Sequence, residues 1–153
     1  MFKSKTDDAI RPVTPDDRAE WLRLRGLLWP DESNAHAAEI DGFLAAPAPG
    51  AQVLVLETAP GRLGGFIELA ERAFAEGCAT SPVAYVEGVF VEKGLRRRGA
   101  ARRLVDAAVI WARDAGYHEL GSDAYSDNRT GRRLHLDAGF EEVAHITCFR
   151  LPL

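Results

Sequence analysis

The sequence predicts an α/β fold of the α+β kind: a mixed, mostly antiparallel central sheet with helices on both faces, in one domain spanning residues 1–153. Three observations predict it. A chain of 153 residues suits a single core. Hydrophobic periodicity orders the elements as β α α β β β α β α β. The segment Ala84 to Ala124 reads strand, helix, strand, which requires a parallel pair with a right-handed crossover. The earlier strands are joined by short turns and pair antiparallel.

Each element has its own signal. Ala9 to Val13 is a short strand. Thr14-Pro15-Asp16-Asp17 starts a helix with a Thr N-cap, Pro at the first helical position and acid in the first turn. Trp21, Leu24, Leu27 and Leu28 give that helix its apolar stripe, and Trp29-Pro30-Asp31 ends it. A second helix, Ala35 to Ala45, stops at Pro47-Ala48-Pro49-Gly50. Gln52 to Thr58 and Gly64 to Glu71 are strands around a Pro60-Gly61 turn, and residues 72–82 form a loop or irregular strand end. Ala84 to Val91 is an apolar strand interrupted by Glu87-Gly88, a pattern that suggests a bulge. Gly99 to Ala115 is the clearest helix, capped by Gly116. Glu119 to Ala124 is a strand, Arg129 to Ala138 a helix ended by Gly139, and Glu141 to Leu151 one or two final strands.

Composition excludes several classes of function. The chain is 46% apolar and 27% charged, as ordinary globular proteins are, and no apolar run reaches the roughly 20 residues of a membrane span. The start, MFKSKTDDAIRPVTPDD, lacks an apolar core, so no signal peptide is expected, and a cytoplasmic protein is. Cys78 and Cys148 make no metal-ligand pattern and read as reduced, partly buried thiols. A net charge of −4 argues against a nucleic-acid partner. Against that background Arg96, Arg97, Arg98, Arg102 and Arg103 form one basic cluster, which points to a local anion site.

That cluster sits where a strand turns into the long helix. The first N–H groups of a helix lack partners and carry partial positive charge, so a turn that gathers them makes a nest for phosphate oxygens. Gly99 lets a ligand approach the backbone, Ala100 and Ala101 keep the next wall small, and the arginines add charge. Gly-Lys-Ser/Thr is absent, which excludes a Walker loop. So is Gly-x-Gly-x-x-Gly, which excludes a dinucleotide fingerprint. A basic surface cluster that merely opens a helix is the competing reading.

Arg96-x-x-Gly99-x-Ala101 resembles the pyrophosphate loop of the GNAT acetyltransferases. A second block continues the likeness: Ser122-Asp123 ends the next strand, Asn128 follows, and His135-Leu-Asp-Ala-Gly139-Phe140-Glu141 is similar to the family's terminal helix and its exit. The resemblance implies acetyl-CoA as co-substrate, no metal, and a pantetheine arm lying where two parallel strands splay apart. Backbone groups of Val89, Phe90 and Val91 would bond that arm, residues 96–101 the pyrophosphate, and Asn128 the arm again; a helix N-cap is Asn128's other reading.

Further patches resemble the aminoglycoside 6'-N-acetyltransferase branch. They are Trp21-Leu22-Arg23-Leu24-Arg25-x-x-Leu28-Trp29-Pro30, Gly77-Cys78-x-x-Ser81-Pro82-Val83-x-Tyr85-x-Glu87-Gly88, and His135-x-x-x-Gly139-Phe140-Glu141-Glu142. The substrate implied is a cationic small-molecule amine, and a homodimer is expected on the same ground. Glu87 and Asp123 supply carboxylates for ammonium groups, Glu87 as the base. Trp29 is a ring platform or a core plug, Phe74 falls where the branch often has Tyr, and Glu142 completes the acceptor side. Residues 73–76, Ala-Phe-Ala-Glu, depart from the usual run. His135 takes the place of the usual Tyr general acid, its other reading being a helix residue packed on the sheet. Glu87 has a surface-charge reading and Asp123 a helix-cap reading. Neither Cys has an adjacent base for a covalent route. The rivals are transfer to a polyamine, amino-acid derivative or protein N-terminus, and a non-catalytic acyl-CoA sensor.

Overall fold

The computed structural model describes residues 8–153, and of residues 32–34 only the backbone. Residues 1–7 of the opening stretch read for a signal sequence therefore lie outside the described residues. The sheet runs β1 (Ala9–Pro12), β2 (Gln52–Ala59), β3 (Arg62–Arg72), β4 (Val83–Val91), β5 (Leu120–Ser122) in that spatial order. The first three pairings are antiparallel and β4–β5 is parallel. Helices α1 (Arg18–Leu28) and α2 (Ser33–Ala45) precede β2; α3 (Ala100–Asp114) and α4 (Arg129–Asp137) flank β5.

β2 is apolar along its length because both of its faces are covered. Leu54 and Leu56 pack with Ile67, Leu104 and Ala108 on the α3 side, while Val53 and Val55 pack with Trp21, Leu24, Ile40 and Phe66 on the α1–α2 side. Thr14 and Asp17 close a short 3-10 turn over Pro15–Asp17 ahead of α1, the Thr14 N–H donating to Asp17 Oδ2 at 2.8 Å. Arg11 donates to both oxygens of buried Asp17, at 2.7 and 2.9 Å.

Three features position the site. First, Glu68 lies opposite Gly88 but Leu69 opposite Val86, so Glu87 is the extra residue of a bulge, as Glu87-Gly88 predicts. Second, β5 pairs only Leu120 to Ser122 with Ala84 to Val86, so the rest of β4 runs on without it and the parallel pair opens into a splay. Third, β4 leads through a 3-10 turn, Lys93–Leu95, into the N-terminus of α3.

The final strands do not form. Residues 141–153 have no strand or helix, and their apolar side chains Val143, Ile146, Phe149 and Leu151 are exposed. Their apolar content suggests strands, but the segment joins neither edge of the sheet, and β5 has only β4 as a strand neighbour among the described residues. Cys78 and Cys148 are both free, and Cys148 is exposed rather than partly buried. Among the described residues no helix is long and apolar enough to cross a membrane, and no group of His, Cys, Asp and Glu is placed to hold a metal ion.

Candidate active site

The turn into α3 has the backbone of an anion nest. Arg97 has φ +61° and Gly99 φ +77°, left-handed values that rotate successive peptide groups toward one side. Among the described residues, no acceptor takes the N–H groups from Arg97 to Arg102; the first helical bond at this end is Arg103 N–H to Gly99 O at 2.9 Å. A side chain at Gly99 would meet open space, and the residue is exposed, so this side of the turn is open to solvent. Ala100 is buried against the core, which anchors the turn.

The arginines divide by role. Arg102 pairs with Asp106 and Arg103 with Asp8, so both are committed elsewhere. Arg96 donates from Nε to the Val91 carbonyl at 2.8 Å and stands over the Phe90 ring. It fixes the strand-to-turn corner and occupies the Val91 oxygen that the sequence reading offered to the cofactor arm. Arg97 and Arg98 are exposed and have no ion-pair partner among the described residues. Glu92 N–H bonds Gly64 O. Ladder alternation then turns the backbone groups of Val89 and Val91 away from β3, toward the open splay, and those of Phe90 toward β3. A cleft of about 470 Å³ lies between Leu27, Phe90, Glu92, Lys93, Gly94 and Arg96.

The carboxylates that the sequence reading places on the acceptor side lie at the bulge and just past β5. Glu87 is bound through both carboxylate oxygens by Arg72, at 2.9 and 2.6 Å, and the Arg72 guanidinium stands 3.6 Å from the centroid of the Tyr85 ring. Gly121 leaves room for that ring above β5. Asp123, exposed just past β5, stands beside Tyr85, whose phenol is pushed up first by burial and then by that carboxylate. Glu87 also borders a cavity of about 170 Å³ together with Trp21, Arg25, Glu39, Phe43 and Glu68. There Trp21 Nε1 donates to Glu68 at 2.8 Å, and Arg25 pairs with Glu39 at 2.7 Å and Glu68 at 3.0 Å. Burial pushes the Glu68 carboxyl up, and Arg25 works against it.

The other sequence-selected residues fall as follows. Trp29 packs on Gly88 and Phe66, with Arg25 over its ring, so it seals the back of the bulge. Asn128 caps α4, accepting the Gly131 N–H at 2.8 Å, which leaves Asp123 outside that cap. His135 is engaged at both ring nitrogens: Nδ1 donates to Gly131 O at 2.7 Å, and Nε2 meets Ser122 Oγ at 2.6 Å. Phe74 is exposed on the loop after β3. The polar contacts of Glu142 are with Arg132 and His145, and Arg132 holds its carboxyl below the usual range. Burial pushes the Cys78 thiol up, which disfavours a nucleophilic thiolate. Sequence reasoning missed Arg72, the Tyr85 platform and the Arg25–Glu68 pair; the bulge that joins the first two is readable, but the register that faces Glu68 to Gly88 is not.

The model of the acetyltransferase (GNAT) family matches residues 17–140. An aminoglycoside N(6')-acetyltransferase type 1 of Klebsiella aerogenes is 42% identical over 146 residues, covering 94% of this chain and 96% of the relative. The solved aminoglycoside N-acetyltransferase AAC(6')-Iy, in complex with CoA, superposes with TM-score 0.90 at 29% identity over 100% of both chains. The same enzyme with the bisubstrate analogue CoA-S-monomethyl-acetylneamine gives TM-score 0.86 at 30% identity, covering 95% of this chain and 99% of that one.

Proposed function

From its membership of the GNAT acetyltransferase family, which makes this chain an acetyl-CoA-dependent N-acetyltransferase, we propose that it acetylates the 6'-amine of aminoglycosides and thereby confers resistance to them. The observation that carries the reading is the paired geometry at the splay: an anion nest on one side and Glu87, Asp123 and the Tyr85 ring on the other. A polycationic sugar needs such carboxylates. The 42% identical Klebsiella relative carries that activity in its name.

Acetyl-CoA, when bound, supplies the activated acetyl group and a thiolate leaving group. The N–H groups of residues 97–102 and the Arg97 and Arg98 guanidiniums hold the pyrophosphate. Backbone groups of Val89, on the open side of β4, bond the pantetheine arm, and an N–H there polarises the acyl carbonyl. Glu87 takes a proton from the acceptor ammonium through water, and Asp123 holds a neighbouring ammonium. With Nδ1 donating to Gly131 O, only the imidazolium form of His135 carries a proton on Nε2, and that form passes it through Ser122 Oγ to the leaving thiolate. Asn128 keeps its side-chain amide for the cofactor arm while its oxygen caps α4.

We also propose a cytoplasmic homodimer in one domain over residues 1–153, with neither nucleic acid nor membrane as partner. The exposed apolar side chains between Val143 and Leu151 support the dimer, since a second copy would cover them. Thiol release from acetyl-CoA against kanamycin, tobramycin, spermine and basic peptides tests the activity. Turnover confined to aminoglycosides supports the reading, and preference for spermine or peptides replaces it.

A further inference from the structure

Arg72 ends β3 and reaches along the sheet to the bulge of β4. Its Nε and Nη2 donate to the two oxygens of Glu87, which engages the whole carboxylate in a fork-to-fork pair. Its guanidinium rests on the Tyr85 ring, and Asp123 adds to the field around it. An aromatic face, a carboxylate in line and a second carboxylate nearby are what an acceptor ammonium requires. A cation belonging to the chain already occupies that place.

We propose that Arg72 is a resident cation in the acceptor site, a latch on Glu87 that the reacting ammonium of the acceptor displaces. The inference rests on the reading of Glu87 and Asp123 as the acceptor site. The pair suits displacement: the Arg72 and Glu87 side chains are 39% and 36% exposed, and ion pairs this open exchange partners at small cost. An ammonium competes for Glu87 because it carries the same charge. A hydroxyl at the same place does not, and leaves the latch closed. Binding of an amine and release of the base are then one event, and Arg72 discriminates amine from alcohol at the reacting position.

A strap that merely holds Glu87 in its working pose gives the opposite response, so the two roles separate. Calorimetry measures the affinity of an aminoglycoside with a 6'-amine and of its 6'-hydroxyl analogue, for wild type, Arg72→Ala, Arg72→Gln and Glu87→Gln. Acetyl-CoA affinity serves as the check on folding, and Arg72→Gln keeps the side-chain bulk if Arg72→Ala fails that check. Removing the latch should tighten amine binding about three- to fivefold, the size of an exposed ion pair, and leave hydroxyl binding unchanged. Weaker or unchanged amine binding, or an equal shift for both ligands, overturns the latch. If Glu87→Gln leaves amine affinity at the wild-type value, the acceptor site itself is misassigned and the latch falls with it.

Discussion

Gly99→Asp separates folding from cofactor binding at the α3 turn. The side chain enters open space, and Asp tolerates the left-handed conformation that Gly99 adopts at φ +77°. An acid at a helix N-terminus is itself favourable by about 0.3–1 kcal/mol, which offsets most of the backbone cost. The Tm should therefore change little. The new carboxylate, however, stands at the same unpaired N–H groups that are proposed to receive the pyrophosphate. A unit charge about 5 Å from another at an effective dielectric constant of about 20 repels it by roughly 3 kcal/mol, and solvent exposure of the turn reduces this to about half. Acetyl-CoA affinity should fall about 10- to 150-fold. Gly99→Asn, similar in shape and neutral, should lose far less. Calorimetry on both variants, with thermal melts alongside, decides it: a folded Gly99→Asp protein that binds acetyl-CoA like wild type refutes the nest.

Asp123→Asn should raise the acceptor KM about tenfold, the low end for a charge-assisted contact because Asp123 is exposed, and spare acetyl-CoA affinity. Glu87→Gln should lower kcat about 100-fold, more than it raises KM, and alter the acidic limb of the pH–rate profile between pH 6 and 9; near wild-type kcat with the same profile would exclude Glu87 as base. Asp17→Asn should cost about 2 kcal/mol in urea melts, since it breaks the Arg11 fork and the Thr14 contact. Hydrogen bonding to Arg11 lowers the Asp17 carboxyl below its ordinary 3.8, so that stability is present above about pH 4 and lost as pH falls through the lowered value; wild-type and variant stabilities should converge there, and a constant gap would contradict the assignment. Phe149→Glu with Leu151→Glu should turn a dimer into a monomer by sedimentation without lowering monomer stability, because both side chains are exposed within one chain.

The fold was legible where local chemistry decides it. Gly116 and Gly139, at φ +89° and +97°, end helices that the sequence ends at the same places. Glu87-Gly88 announces a bulge, and Gly99 announces the left-handed turn into α3. The terminal segment misled because apolar, strand-like residues suggest a strand but not its partner, and here the segment joins neither edge of the sheet. The proposed acceptor site was only half legible. Its carboxylates stand out as charges beside an apolar strand. The cation that occupies one of them, Arg72, lies 15 residues away along the chain and meets Glu87 only through the β3–β4 register. His135 reads as a general acid from the chain alone, but its bond to Ser122 Oγ, a contact between α4 and β5, is not legible there.

The central claim is transfer of an acetyl group to an aminoglycoside 6'-amine. It is tested most directly by incubating the protein with acetyl-CoA and a matched pair of aminoglycosides that differ only in a 6'-amine or 6'-hydroxyl, and following CoA release and product mass. The account predicts turnover and a single added acetyl group for the amine, with none for the hydroxyl analogue. Equal turnover of both would place the reacting nitrogen elsewhere on the drug, and turnover of neither would contradict the assignment of aminoglycosides as acceptors.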